Sequence, residues 1–190
     1  MRSGGQAYLE NYLLDRPDLK ALSSHWLPVP LAEARALDLK TLILLRDPIV
    51  RVASVYRFEK IQEANTFGAV AAKKYDIRDY VRWRLDEQPG VVSNYYSEYL
   101  TSNLPEPEQK RTSLPDAVRS LEQLFFVGIV ELFEDSMSLL GEMLQPEFPN
   151  FSVAAVRENV TDTRGLSNAE RKRELRDTLG DALYDRLVFV

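Results

Sequence analysis

Between Arg46 and Tyr56 the sequence reads RDPIVRVASVY, directly after the apolar run LILL. Arg46 offers a planar guanidinium that can grip an oxyanion through two N–H groups, and Ser54 offers a hydroxyl donor. If the chain turns helical at Pro48, Arg51 and Ser54 stand on neighbouring rows of that helix and can address the same region. Together with the free amides of a helix start, these groups suit a phosphate. The same residues also admit a plainer use, in which Arg46 and Asp47 pair with each other or cap the helix. Further along, Glu59 and Glu63 are carboxylates that offer alternative proton acceptors for a general base, although they are expected to be solvated. Tyr75, Tyr80, Trp83, Tyr95, Tyr96 and Tyr99 present flat faces that suit sugar rings, although their helical spacing favours core packing for most of them.

The elements around the motif follow from hydrophobic patterning. KTLILLRD is a continuous apolar run of the kind found in a parallel-sheet strand covered on both faces. Asp47 then supplies a capping oxygen and Pro48 suits the first helical position, so PIVRVASVYRFEK is expected to be a helix that begins where the strand ends. In open α/β sheets ligands bind beyond the carboxyl ends of strands, and Arg46 falls at such an end. QAYLENYLLD carries an apolar stripe at Tyr8, Leu9, Tyr12 and Leu13, which makes it an amphipathic helix. The Pro-bracketed WLPVP is unsuited to a central strand, and LAEARALD after it reads as a short helix. IRDYVRWRLDEQ, SNYYSEYL, PDAVRSLEQL, LFEDSMSLLGEML, SNAERKRELRD and DALYDRLVFV are further helices, with Ser167 capping the fifth of these. LFFVGI reads as a second buried strand. Strands separated by helices predict an α/β protein, helix-rich, with three α/β/α layers around a central parallel sheet.

A chain of 190 residues without low-complexity tracts is expected to form a single domain over residues 1–190. It contains no cysteine, which excludes disulfides, thiolate metal sites and a cysteine nucleophile. The formal net charge of −5 argues against a nucleic-acid binder, so a phosphate pocket has to be local. The longest apolar runs are too short to cross a bilayer and the N-terminus has no signal-peptide core, so the chain as given is expected to be soluble and cytoplasmic.

RDPIVRVASVY resembles the nucleotide 3′-phosphate motif of the sulfotransferase superfamily: Arg-Asp-Pro, two residues, Arg, two residues, Ser, one residue, Tyr. Arg46, Asp47, Pro48, Arg51, Ser54 and Tyr56 meet every fixed position. RSGGQA, Arg2 to Ala7, is similar to the loop that wraps the donor's 5′-phosphosulfate, commonly Lys-Thr-Gly-Gly-Thr-Ser in the carbohydrate branch. Arg2 stands where Lys is usual, and Gln6 and Ala7 replace the two hydroxyl residues. No strand precedes this loop in the chain as given, so the resemblance implies a missing first strand or a degenerate copy. VGIVELFEDSMSLL resembles the late strand-to-helix segment of the carbohydrate enzymes. ENVTDTRGLSNAERKRELRDTLGDALYDRL resembles their ending, with Asp181, Leu183 and Tyr184 at its close.

The resemblance implies a P-loop-like fold and transfer of a sulfuryl group from 3′-phosphoadenosine 5′-phosphosulfate to a hydroxyl of a carbohydrate-like acceptor, without a metal. It implies that Ser3, Gly4, Gly5, Gln6 and Ala7 cradle the 5′-phosphosulfate, and that Arg46, Arg51 and Ser54 hold the 3′-phosphate. From the loop holding Arg157, Asn159 and Thr161, some relatives reach the nucleotide. It implies Arg2 as stabiliser of the leaving oxygen and His25 as general base, a role that an unperturbed imidazole pKa suits; a surface or capping histidine in the polar turn SSHW is the alternative. Two rival functions remain. A P-loop kinase would need Gly-Lys-Ser/Thr in the loop and an acidic metal site, neither of which RSGGQA and its surroundings supply. A degenerate sulfotransferase-like domain would bind nucleotide without turnover.

Overall fold

The computed structural model describes residues 5–24, 37–102, 113–152 and 165–189. In chain order these form α1 (Gly5–Leu14), β1 (Leu42–Leu45), α2 (Pro48–Ile61), α3 (Phe67–Lys74), α4 (Ile77–Glu87), α5 (Tyr95–Leu100), α6 (Leu114–Glu122), β2 (Phe126–Ile129), α7 (Phe133–Leu144), α8 (Asn168–Leu179) and α9 (Asp181–Val188). Short 3₁₀ turns occupy Pro89–Val91 and Val130–Leu132. The strands are neighbours in a parallel two-stranded sheet, and α2 to α6 intervene between them in sequence, as a parallel crossover requires. The described residues therefore make a helix-rich mixed α/β protein. No helix among them is long and apolar enough to cross a membrane.

The expected helices form, several under caps that the sequence supplies. Asp76 accepts from the amide of Asp79 at 2.9 Å to start α4, and Ser113 accepts from the amide of Asp116 at 3.2 Å to start α6. Ser167 and Glu170 form a reciprocal capping box on α8. Ser136 of α7 accepts from the Ile129 amide at 2.9 Å and donates to its carbonyl at 3.2 Å, latching α7 to the end of β2. The helix expected at LAEARALD lies outside the described residues except for Leu37 and Asp38, which are not helical.

Two features differ from expectation. The strands are not covered on both faces: Leu42 is 45% exposed, and β2 alternates between buried Phe126 and Gly128 and open Val127 and Ile129. An apolar run fixes that a strand is apolar, but coverage depends on what packs above and below it. The second difference is α3, whose small residues give little amphipathic contrast. Thr66 caps it by accepting from the Ala69 amide at 3.2 Å. Gly68, Ala69, Ala71 and Ala72 are buried, so α3 lies close along α2.

The chain divides into two compact units, each drawn from two stretches: Met1–Ile43 with Tyr95–Val127, and Leu44–Asn94 with Gly128–Val190. The first has a small core of Leu100 and Ala117, against which Ile43, Tyr96, Tyr99, Leu121 and Leu124 pack. The second has the larger core, in which Val52 and Tyr56 of α2 meet Ala71 and Ala72 of α3, Tyr80, Val81 and Leu85 of α4, and Leu175, Leu179, Tyr184 and Leu187 of α8 and α9. Tyr75 and Trp83 pack on this larger core. Most of the aromatic residues considered for sugar stacking therefore serve packing.

Candidate functional site

The junction of β1 and α2 is built by local chemistry. Asp47 is the N-cap of α2, its Oδ1 accepting from the amides of Ile49 at 3.0 Å and Val50 at 3.2 Å. Pro48 takes the first helical position, where its missing N–H costs nothing. This start fixes the helical phase so that Ser54 comes round to the side where β1 delivers Arg46. Arg46 Nη1 donates to Ser54 Oγ at 2.7 Å, so the two residues singled out for an oxyanion are brought together.

Two residues not singled out in the sequence complete the cluster. Glu131, in the turn after β2, places Oε1 3.5 Å from Arg46 Nε. Both its carboxylate oxygens also receive the Asp47 amide, at 3.3 and 3.4 Å. Lys172 of α8 pairs with Asp47 Oδ2. Burial pushes the Asp47 carboxyl up, but the Lys172 hydrogen bond and the Val50 and Ile49 amides together outweigh it and hold the group below its ordinary value. The Asp47 hydrogen bond in turn raises Lys172, and the nearby Glu131 charge adds to that. Among the described residues the cluster thus holds two cations, Arg46 and Lys172, and two carboxylates, Asp47 and Glu131. It can hold an anion through Arg46 and Ser54, with Lys172 and Glu131 setting the local charge.

The other motif residues also make contacts within the fold. Arg51 Nη1 donates to the carbonyl of Val91 at 2.6 Å and ties α2 to the turn Pro89–Val91. The Tyr56 hydroxyl donates to the Tyr75 carbonyl at 3.0 Å and accepts from Lys60 at 2.8 Å, while its ring lies 5.1 Å from Tyr80 in the core. Glu59 corrects an expectation, because it is not solvated. Arg84 Nη2 reaches its two oxygens at 2.6 and 2.7 Å, and the Tyr80 hydroxyl donates to Oε2 while accepting from Arg84 Nε at 2.8 Å. Burial, reinforced by the Glu59 carboxylate, pushes the Tyr80 phenol well above its ordinary range. Held in this buried triad, Glu59 is not placed to take a proton from an acceptor. Glu63 is exposed.

Gly5, Gln6 and Ala7 form the first turn of α1, where backbone amides have no partner within the helix. They belong to the first unit, whereas Arg46, Arg51 and Ser54 belong to the second. Arg2, Ser3, Gly4, His25, Arg157, Asn159 and Thr161 lie outside the described residues. Among the described residues no cluster of His, Cys, Asp and Glu is arranged to hold a metal ion.

No family model and no solved structure matches the chain. An uncharacterized protein of Archaeoglobus fulgidus is 31% identical over 184 residues, an alignment that takes in 93% of this chain and 72% of that protein. At that identity and coverage, the chain belongs to the family of this archaeal protein.

Proposed function

We propose that the chain is a sulfotransferase that takes a sulfuryl group from 3′-phosphoadenosine 5′-phosphosulfate and passes it to a hydroxyl of a carbohydrate-like acceptor. The observation that supports this reading is the Arg46–Ser54 pair at 2.7 Å, set between the carboxyl end of β1 and the first turns of α2. A guanidinium and a hydroxyl so joined can both turn toward the oxygens of a 3′-phosphate, and charge-assisted bonds of this kind are roughly twice as strong as neutral ones. In this reading β1 and β2 are part of the central parallel sheet of a P-loop-like three-layer fold.

Transfer proceeds by in-line attack of the acceptor oxygen on sulfur. As the new S–O bond forms, the bond from sulfur to the nucleotide's 5′-phosphate oxygen breaks, and its electron pair stays on that oxygen. Arg2 neutralises this charge and His25 takes the acceptor proton. Positioning and charge neutralisation carry most of the work, as in phosphoryl transfer. A second reading, nucleotide binding without transfer, is favoured by Gln6 and Ala7, which place no hydroxyl donors on the first turn of α1.

The test is calorimetric. Adenosine 3′,5′-bisphosphate should bind more tightly than adenosine 5′-phosphate, and Arg46→Ala should remove most of the difference. A charge-assisted contact is worth about 1.5 to 3 kcal/mol, which corresponds to roughly tenfold or more in affinity. Equal affinity for the two nucleotides would sink the reading.

A further inference from the structure

We propose that Glu131 tunes the affinity of the Arg46–Ser54 site, acting as a built-in counter-charge that keeps a bound 3′-phosphate exchangeable; the inference rests on the nucleotide-binding reading above. Glu131 is little exposed, and its carboxylate is held at two points: by ion pairing to Arg46 Nε at 3.5 Å, and by the Asp47 amide at 3.3 and 3.4 Å. It therefore engages one edge of the guanidinium that would grip the phosphate. It also takes up a backbone N–H at the mouth of α2, where an anion would otherwise find a donor.

Among the described residues the charges around the junction balance. Arg46 and Lys172 are offset by Asp47 and Glu131, and Asp47 is further committed to Lys172 and the α2 amides. A phosphate dianion arriving here meets a locally neutral cluster, with one carboxylate already against its arginine. Such a site binds an anion less tightly than Arg46 and Ser54 would alone. An enzyme that must discharge a spent bisphosphate nucleotide after every turnover benefits from that restraint. Glu131 does not contact the nucleotide in this scheme; it acts through Arg46 and through the local potential, with Lys172 working in the opposite sense.

The experiment exploits that opposition. Glu131→Gln keeps the size and one acceptor oxygen for the Asp47 amide while removing the charge. At an effective dielectric of about 20, one unit charge within ~10 Å of an anion changes a binding constant by about tenfold. Calorimetry should show adenosine 3′,5′-bisphosphate binding about tenfold more tightly to Glu131→Gln than to the wild type, with adenosine 5′-phosphate unchanged. Lys172→Met should weaken the bisphosphate about three- to tenfold. A purely structural role would make both substitutions weaken binding together. If the wild type prefers the bisphosphate but Glu131→Gln binds it equally or more weakly, the tuning role is overturned while the nucleotide reading stands. Unchanged or tighter binding by Lys172→Met overturns it too, and serves as the test should Glu131→Gln fail to fold. If the wild type shows no preference for the 3′-phosphate, the nucleotide reading fails and takes this inference with it.

Discussion

Replacing Gly68 by alanine tests how the second unit is held together. In an isolated helix the change would be favourable by up to about 1 kcal/mol. In this protein a Cβ at Gly68 would collide with Arg84 Nη2 and with Glu59 Oε1, well inside the 3.0 Å below which real Cβ atoms are not found. Ends of long side chains usually swing away cheaply, but these cannot. Arg84 is 4% exposed and is gripped by both Glu59 oxygens and the Tyr80 hydroxyl. Parting a buried pair costs about 3 to 5 kcal/mol. Lifting α3 away from α2 instead incurs the overpacking cost of about 1 to 3 kcal/mol. The cheaper route decides, and the size of the collision puts it near the upper end, so a net loss of about 2 kcal/mol remains after the gain in propensity. With a urea m-value of about 1 to 3 kcal/mol/M, the midpoint should fall by roughly 1 M. Arg84→Met supplies the control: in that background Gly68→Ala should cost at least ~1 kcal/mol less, a coupling of the size seen for residues in direct contact. Wild-type stability in Gly68→Ala, or an undiminished cost in the Arg84→Met background, would refute the account.

Asp47→Ala removes both the cap of α2 and the partner of Lys172, and should cost about 1 to 2 kcal/mol in urea unfolding, whereas Asp47→Asn keeps the cap and should lose under ~1 kcal/mol. Because the Asp47 carboxyl is held below its ordinary value, its contribution is present above that value and is lost as pH falls through the folded one; stability should decline below about pH 4, and Asp47→Asn should flatten that acid limb. In a sulfate-transfer assay over a panel of glycans, His25→Ala should lower the rate by about 10² to 10⁴ with nucleotide affinity unchanged, while Arg2→Ala lowers both. If His25→Ala retains full activity, Glu63 rather than Glu59 is the next base to test, since Arg84 already holds Glu59.

What could be read in the sequence was whatever is decided within one or two turns of chain. Asp47 and Ser167 cap helices as expected, and Asp76 and Ser113, not singled out in the sequence, do so by the same rule, because a short polar side chain beside an incipient helix meets its free amides wherever the chain goes next. The boundaries of α2 and the closeness of Arg46 and Ser54 follow from the same local rule, since a capped start fixes the helical phase. Coverage of the strands was not readable, because Val127 and Ile129 are as apolar as any covered strand residue and only their neighbours leave them open. α3 was missed for a related reason: a run of glycine and alanines shows little contrast between its faces, yet small size is what allows close packing on α2.

The partners that give the junction its electrostatic character come from far along the chain. Glu131 is separated from Asp47 by 84 positions, and Lys172 sits in a helix crowded with charged residues where nothing in the sequence marks one cation from another. The sequence displayed an arginine and a serine suited to a phosphate, and such a pair taken alone would make an avid site. Packing against the end of β2 adds a carboxylate that offsets the Arg46 charge, and packing against α8 adds an ammonium that pairs with Asp47. In the proposed reading, motif residues specify which group the junction can hold, whereas tertiary contacts specify how tightly. On that reading, a chain that kept RDPIVRVASVY unchanged but carried the Glu131→Gln substitution should keep the same recognition chemistry and hold a bound 3′-phosphate longer, trading release for affinity.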